Sequence, residues 1–252
     1  MLRIIDSRTG EPVAAAPVRR GLTRVQAHAS GYDAGSLRVL LVTDLLVRAL
    51  ELGGTPVWAL LTGEREQAEL RAGAAALGMH PFEDGRGLGT AVGEAQILHV
   101  VGEGGPAPDG VRIAVAPVDG TVPDGLGGAV EQGRRAVADD SSALRLALLA
   151  RPRTEPVRLD ATALGEAQDT LVRWRRAVAD WARRPSRPVP DEVRGRLRAA
   201  WEDDLDVPGV LRVLRWVEGA GPELPDGARF ETYAYADRLL GLDLTRDLGA
   251  SA

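Results

Sequence analysis

The chain has 252 residues, of which 44% are hydrophobic, so it is long enough for one large domain or two small ones around a proper core. Its net charge of −5 argues against broad binding to DNA or RNA, which draws on a positive surface. Cysteine is absent, which excludes disulfides and thiolate metal sites, and no run approaches the ~20 uncharged apolar residues that a bilayer span requires.

The first half of the chain alternates between strand and helix patterns. The expected strands cover residues 24–30, 56–63, 95–102 and 110–120, and the expected helices cover residues 36–52 and 64–78. The strand AQILHVVG is a continuous apolar run, which is typical of buried parallel strands. Strands separated by helices predict a parallel α/β sheet of the Rossmann-like type.

The second half changes to the period of amphipathic helices. Apolar residues recur at three- and four-residue steps from Leu164 to Trp181, interrupted only by Gln168. The prolines of segment 183–190 end this helix because proline lacks an N–H donor. Three more apolar stripes follow, at Val193–Trp201, Val210–Val217 and Phe230–Leu240. We expect the tryptophans on these helices to lie in the core: Trp174, Trp181, Trp201 and Trp216.

The change of period near residues 125–140 marks a domain junction. We therefore expect an α/β protein in which a Rossmann-like parallel-sheet domain, residues 1–130, precedes an all-α helical bundle, residues 131–252. The charged start MLRIIDSRTGEPV lacks the apolar stretch of a signal peptide. This start predicts a cytoplasmic protein that does not associate with membranes.

The second half resembles the C-terminal helical domain of cysteinyl-tRNA synthetases. Segment 142–145, SALR, is similar to the D-A-L-R signature near the start of that domain, and segment 203–208, DDLDVP, is similar to its acidic DDLNTP-like turn. In the first half, Tyr32-Asp33 matches the family's TVYD element, and the helix VTDLLVRALELGG matches the one after its signature loop. The resemblance suggests a truncated paralogue of this class I family, and the related mycothiol cysteine ligases fit equally well as its parent.

Three parts of the family's active site are missing here. The family's HIGH sequence, whose histidines hold ATP phosphates, follows the YD element, but only AGSLR separates Asp33 from Val39. Segment 121–125, TVPDG, stands in place of the KMSKS lysines, and the chain contains no lysine at all. The zinc-binding cysteine of the family falls at Ala27. The resemblance therefore implies an inherited frame without the adenylation chemistry.

Polar side chains gather after the first expected Rossmann strand. His28, Ser30, Tyr32 and Asp33 lie at its carboxyl end, which is the edge where open α/β sheets bind ligands. We expect a vestigial small-molecule pocket at this edge. The alternative is that these polar residues are an evolutionary remnant at the rim of the sheet and bind no ligand.

The three histidines of the chain raise the question of a metal site. His28, His80 and His99 are enough for a three-histidine zinc site in principle. They lie far apart in sequence, however, and have no ligand-type spacing. We therefore expect ordinary hydrogen-bonded histidines, with neither a metal ion nor a cofactor.

Arginines are concentrated in segment 173–198. In the family this domain lies along the tRNA, so the resemblance implies phosphate contacts by Arg173, Arg176, Arg183 and Arg187. The alternative is a solvated helix face opposite the Leu/Trp stripe. The net charge of −5 favours the second interpretation because it repels a polyanion.

The resemblance and the missing motifs together predict a binding function. The chain would be a catalytically degenerate, cysteinyl-tRNA-synthetase-like pseudoenzyme that binds a protein partner or a small molecule. One alternative is a repurposed enzyme that activates or transfers an amino-acid-like group with a rebuilt pocket at the first strand edge. A tRNA-binding module is the other alternative, and no DNA partner is expected.

Overall fold

The computed structural model describes residues 1–17, 22–63, 65–85, 96–106, 108–122 and 134–249, with only the backbone of 134–140. The described strands are β1 (Arg3–Asp6), β2 (Glu11–Ala14), β3 (Thr23–His28), β4 (Val57–Thr62), β5 (Glu83–Asp84), β6 (Ile97–Gly102), β7 (Val111–Val115), β8 (Val118–Gly120) and β9 (Val157–Leu159). The described helices are α1 (Ala34–Leu52), α2 (Gln67–Ala76), α3 (Arg134–Leu149), α4 (Ala161–Trp181), α5 (Asp191–Glu202), α6 (Val207–Glu218) and α7 (Asp226–Leu240). Within these ranges no helix is both long and apolar enough to cross a bilayer.

Five parallel strands form the main sheet in the order β5-β4-β3-β6-β7. The chain runs outward from β3 to β4 and β5, and then returns to the other side of β3 for β6 and β7. This reversal is the strand order of Rossmann-type sheets, whose ligands bind outside the carboxyl ends of the strands at the reversal point. The expected α/β class, with a Rossmann-like sheet and a helical C-terminal region, is confirmed.

Helix α1 lies at the centre of the molecule. It packs across β3, β4 and β6 of the sheet, and its other side contacts α2 and α7. Most of its residues are buried, so its apolar sequence has no solvated face. Asp33 caps its first turn and Gly53 follows its last. One continuous apolar core joins the sheet, α1 and the C-terminal helices.

The C-terminal helices pack as a bundle in which α4 contacts α7, α5 contacts α6, and α6 contacts α7. Trp174, Trp181 and Trp201 are buried, as expected. The expectation was wrong for Trp216, which is 44% exposed and lies under the guanidinium of Arg196, 4.6 Å from the ring centroid. Its position faces outward because the valine and leucine stripe fills the inner face of α6.

The expected strand at 110–120 is two strands rather than one. The break falls at Ala116 and Pro117, where Ala116 N–H donates to the carbonyl of Arg153 and proline has no N–H to donate. Beyond the break, β8 pairs with β9 in a separate parallel sheet. The expected domain boundary at 130/131 lies outside the described residues and stays a prediction.

A buried ion-pair network joins the two halves of the chain. The carboxylate of Asp44 on α1 accepts from Arg145 at 2.6 Å, from Arg48 at 2.8 Å and from the ring Nδ1 of His80 at 2.7 Å. Arg145 also donates to the carbonyls of Leu77 and Leu240. Burial alone would raise the pKa of Asp44, but the hydrogen bond from His80 and the two arginine charges outweigh it and lower the pKa. The arginine of the SALR segment therefore has a structural role.

Candidate small-molecule site

A cavity of about 730 Å³ lies at the carboxyl ends of β3, β4, β6 and β7. Its described lining comprises His28, Ala29, Ser30, Asp33, Gly35, Ser36, Val39, Thr62, Gly63, Arg65, Val101, Gly102, Glu103, Gly105, Pro106, Val115, Ala116 and Pro117. Pockets of roughly 300–1,000 Å³ suit small molecules, and a largely apolar wall with a few polar groups is typical of them. The cavity lies where the strand order reverses, so topology alone places a ligand there.

Three of the four pocket residues expected from the sequence line this cavity. They are His28, Ser30 and Asp33. Tyr32 is not among the lining residues. Its ring packs against α2, where a Cβ added to Gly73 would come within 2.9 Å of Tyr32 Cε2. The backbone turns between Ser30 and Asp33, which directs the tyrosine toward the helix; occupation of the cavity by a ligand stays a prediction.

The loop before α1 has the form of an anion site, but the chain's own carboxylates bind its N–H groups. The Asp33 carboxylate accepts from Ser36 N–H at 2.6 Å, and the Glu66 carboxylate accepts from Tyr32 N–H at 2.7 Å. In phosphate sites, such N–H groups and the helix dipole point at the ligand. Here a phosphate would have to displace a carboxylate and would face its negative charge.

The basic residue that follows this loop does not reach the cavity. Arg38 is 1% exposed and donates to the carbonyls of Ala116, Pro152 and Glu155 at 2.7–2.9 Å. Burial lowers the pKa of Arg38 to about 10, although the charge of Glu155 opposes the shift, so the guanidinium remains charged at neutral pH. Its role is to tie α1 to the segment before β9. This leaves Arg65 as the one arginine in the described lining of the cavity.

His28, which lines the cavity, contacts His99 on the neighbouring strand. Gln26 pairs with His99 in the β3–β6 register, so the side chains of His28 and His99 share one face of the sheet. Nε2 of His28 lies 3.0 Å from Nδ1 of His99. Burial and the neighbouring His99 lower the pKa of His28 to about 4, and burial also lowers the pKa of His99. Both rings are therefore neutral at pH 7.

The third histidine lies elsewhere and is hydrogen-bonded. His80 contacts the Asp44 carboxylate with both its backbone N–H and its ring. In the part of the chain that the structure describes, no group of three or more histidine, aspartate or glutamate side chains could hold a metal ion. Whether the purified protein contains zinc stays a prediction.

The family's DDLNTP-like turn also has a structural role. Asp204 has a positive φ of 52°, and its carboxylate accepts from Ile5 N–H at 2.9 Å and from Arg153 at 2.5 Å. Asp206 caps α6 by accepting from Gly209 N–H. The turn thus fixes the N-terminal strand against the bundle. The segment that replaces KMSKS lies largely outside the described residues, which include only its first two positions.

The four arginines expected to contact RNA differ in their surroundings. Arg173 forms an ion pair with Glu218 at 2.7 Å, and Arg183 lies 4.0 Å from Asp180. Arg176 and Arg187 are exposed. Further along the segment, ion pairs join Arg194 to Asp191, Arg196 to Glu192 and Arg198 to Glu202. Acidic partners thus offset much of the positive charge of segment 173–198, and RNA binding itself stays a prediction.

No family model matches the chain, but curated proteins do. It is 39% identical over 113 residues to the "L-cysteine:1D-myo-inositol 2-amino-2-deoxy-alpha-D-glucopyranoside ligase" of Parafrankia sp., a match that covers 42% of this chain and 24% of the relative. The protein of that name from Streptosporangium roseum is 38% identical over 108 residues, 42% of this chain and 26% of the relative. The one from Kytococcus sedentarius is 34% identical over 124 residues, 44% of this chain and 28% of the relative.

The chain thus spans about a quarter of the length of these relatives. By name, these relatives are ligases of L-cysteine. The Rossmann-like sheet and the helical region that follows it agree with this match. Over about 42% of its length the chain is therefore similar to these ligases, which is consistent with a truncated paralogue of the cysteinyl-tRNA synthetase family.

Proposed function

We propose that this protein is a catalytically degenerate member of the family that acts in the cytoplasm by binding, without forming an adenylate. The observation that carries this proposal is the occupation of the loop N–H groups of Tyr32 and Ser36 by the carboxylates of Glu66 and Asp33. A carboxylate in the anion position blocks the phosphates of ATP both sterically and by charge.

The chain also lacks the cations that adenylation needs. In adenylate formation the carboxylate attacks the α-phosphorus of ATP and pyrophosphate leaves, so negative charge develops on the leaving pyrophosphate. Preorganised donors stabilise such charge, and loss of one donor typically costs ~10²–10³ in rate. The sequence has neither lysine nor cysteine. The nearest guanidinium in α1, on Arg38, donates to three backbone carbonyls instead.

Of the two binding roles, the geometry supports a small-molecule ligand better than a protein partner. The supporting feature is the cavity at the strand reversal, which is concave and partly apolar. A large exposed apolar patch would instead mark an interface with a protein partner. The exposed large apolar side chains among the described residues, such as Ile5 and Trp216, lie on different elements.

A repurposed enzyme remains the second candidate because of one observation. His28 lines the cavity and is hydrogen-bonded to His99, which is the arrangement of a base and a residue that orients it. Such a pair would suit transfer of an amino-acid-like group. The low pKa of His28, about 4, makes it a weak base at neutral pH and favours the binding role.

The test is ATP–pyrophosphate exchange with each of the twenty amino acids, with a mycothiol cysteine ligase as the positive control. We expect background exchange in every case. Exchange with cysteine well above background would contradict the proposal. Exchange with a different amino acid would instead establish the repurposed enzyme.

A further inference from the structure

We propose that a second cavity, at the amino ends of β3 and β4, binds a neutral small molecule that is rich in hydroxyl groups, such as a monosaccharide. This cavity has a volume of about 630 Å³ and lies between the sheet, the C-terminal end of α1 and the helices α5 and α7. It is at the opposite end of the strands from the candidate small-molecule site, so the inference goes beyond the proposed function and does not depend on it.

Two deeply buried residues of this second cavity carry polar groups without a partner. Trp201 on α5 is 3% exposed, Thr23 at the start of β3 is 5% exposed, and both line the cavity. Within the ranges that the structure describes, neither the indole N–H of Trp201 nor the hydroxyl of Thr23 has a hydrogen-bond partner. Both atoms keep some accessible surface, which opens on the cavity that the two residues line. Buried polar groups are normally hydrogen-bonded, so these two groups call for a polar occupant.

Two further hydroxyl groups extend this polar set. Tyr235 on α7 and Thr55 before β4 line the same cavity, and among the described residues their hydroxyls likewise have no hydrogen-bond partner. A hydroxyl both donates and accepts, whereas an indole N–H only donates. A ligand that satisfies all four groups therefore needs several atoms that donate and accept, as the hydroxyls of a polyol do. An apolar ligand would leave the four groups unpaired in a buried site.

The charges around the second cavity favour a neutral ligand. The Glu202 carboxylate, which lines the cavity, accepts from Arg198 at 3.0 Å and from the Met1 ammonium at 2.7 Å. The C-terminal end of α1 also borders the cavity and has no basic residue in its last turn, so it contributes the negative end of the helix dipole. Charges of both signs thus surround the cavity, and a ligand charge of either sign meets repulsion as well as attraction.

The walls of the second cavity suit the C–H faces of a compact ring. The rings of Tyr235 and Trp201 have centroids 5.4 Å apart and form one aromatic wall. Leu2, Leu50 and Pro56 add aliphatic surface. A sugar ring presents apolar C–H faces to such walls and its hydroxyls at its edge. The volume lies in the range of roughly 300–1,000 Å³ that is usual for small-molecule sites.

Three probes that share one sugar ring test both the site and its charge preference. The probes are methyl β-D-glucopyranoside and its two analogues in which a carboxylate or an aminomethyl group replaces the primary alcohol group. Each is titrated into the full chain and followed by NMR at the indole N–H of Trp201, which the Trp201→Phe variant identifies. We expect a saturable shift with the glucoside, which should bind about threefold more tightly than either charged analogue because their charges find no unopposed partner.

Two variants and one control assign the binding to the unpartnered hydroxyls. Tyr235→Phe and Thr23→Val each remove one hydroxyl and nearly keep the shape of the side chain, and circular dichroism checks that both variants fold. Each should weaken glucoside binding by about threefold to tenfold, the effect of one lost hydrogen bond between neutral groups. Thr154→Val, which removes an exposed hydroxyl outside the described lining of the cavity, should leave the binding unchanged.

Three results would overturn this inference. If no probe gives a saturable shift at Trp201, the second cavity holds only water. If a charged analogue binds as tightly as the glucoside or more tightly, the site does not select a neutral ligand. If glucoside binding is unchanged in both Tyr235→Phe and Thr23→Val, the ligand lies elsewhere. None of these results bears on the ATP–pyrophosphate exchange, which tests the proposed function separately.

Discussion

Arg145, the arginine of the SALR segment, is predicted to contribute strongly to the free energy of unfolding. Replacing it with methionine fills similar volume but leaves the Asp44 carboxylate, which is 0% exposed, without its shortest partner. Breaking a buried ion pair from one side typically costs about 3–5 kcal/mol. The carbonyls of Leu77 and Leu240 also lose their donor, at about 1 kcal/mol each. Arg48 remains 2.8 Å from Asp44 and limits the loss, so we expect about 4 kcal/mol in total.

Urea unfolding followed by circular dichroism measures this loss. A control is Arg158→Met, because Arg158 forms an ion pair with Asp160 at the surface and is 80% exposed; its change should be within about 0.5 kcal/mol. A loss below about 1 kcal/mol for Arg145→Met, with an unchanged urea slope, would refute the structural role of the network.

The pH dependence of the free energy of unfolding tests the role of the Asp44–Arg145 ion pair independently. The folded pKa of Asp44 is lowered, so its contribution is present above the unfolded pKa and is lost as the pH falls through the folded pKa. In Arg145→Met, burial of Asp44 is less opposed and its pKa rises. The variant should therefore be most destabilised relative to the native chain near pH 7 and less so near pH 4.

The histidines and the arginine-rich segment 173–198 can be tested in the same way. The pKa of His28 is lowered from 6.5 to about 4. The stability that its neutral ring contributes is therefore present above pH 6.5 and is lost as the pH falls toward 4. An NMR titration of His28 with a midpoint near 6.5 would contradict the lowered pKa. Protein purified without chelators should contain no stoichiometric zinc, and elemental analysis showing one zinc per chain would overturn this expectation. Transfer RNA should bind only weakly at physiological salt, with dissociation constants around 10⁻⁴–10⁻⁶ M. Submicromolar binding at physiological salt would refute this prediction if replacing four arginines with glutamine abolishes it. These arginines are Arg173, Arg176, Arg183 and Arg187.

Local patterns in the sequence were sufficient to predict most of the helices and strands. The apolar run at 95–102 became β6, and the stripe from Leu164 to Trp181 became α4, because the core that covers them extends along their whole length. The prediction of one continuous strand at 110–120 was wrong. The sequence shows Pro117 in that segment, but it does not show that the residues after Pro117 pair with β9, about 40 residues later.

The contacts that define the candidate site are long-range, and sequence reasoning missed them for that reason. His28 and His99 are 71 residues apart and meet because β3 and β6 are adjacent only after the strand order reverses. The signal that could have found them is their shared alternation on neighbouring parallel strands. Likewise, no local pattern shows that Glu66 caps the Tyr32 N–H or that Arg38 turns away from the cavity.

In the proposed function, the carboxylates of Asp33 and Glu66 occupy the position that the phosphates of ATP would take. The most direct measurement is an NMR titration with Mg-ATP that follows the amide resonances of Tyr32 and Ser36 in the native chain and in the Asp33→Asn, Glu66→Gln double variant. We predict no saturable shift of these amides in the native chain and a gain of binding in the variant, which loses two negative charges. Saturable shifts of both amides in the native chain would contradict the claim.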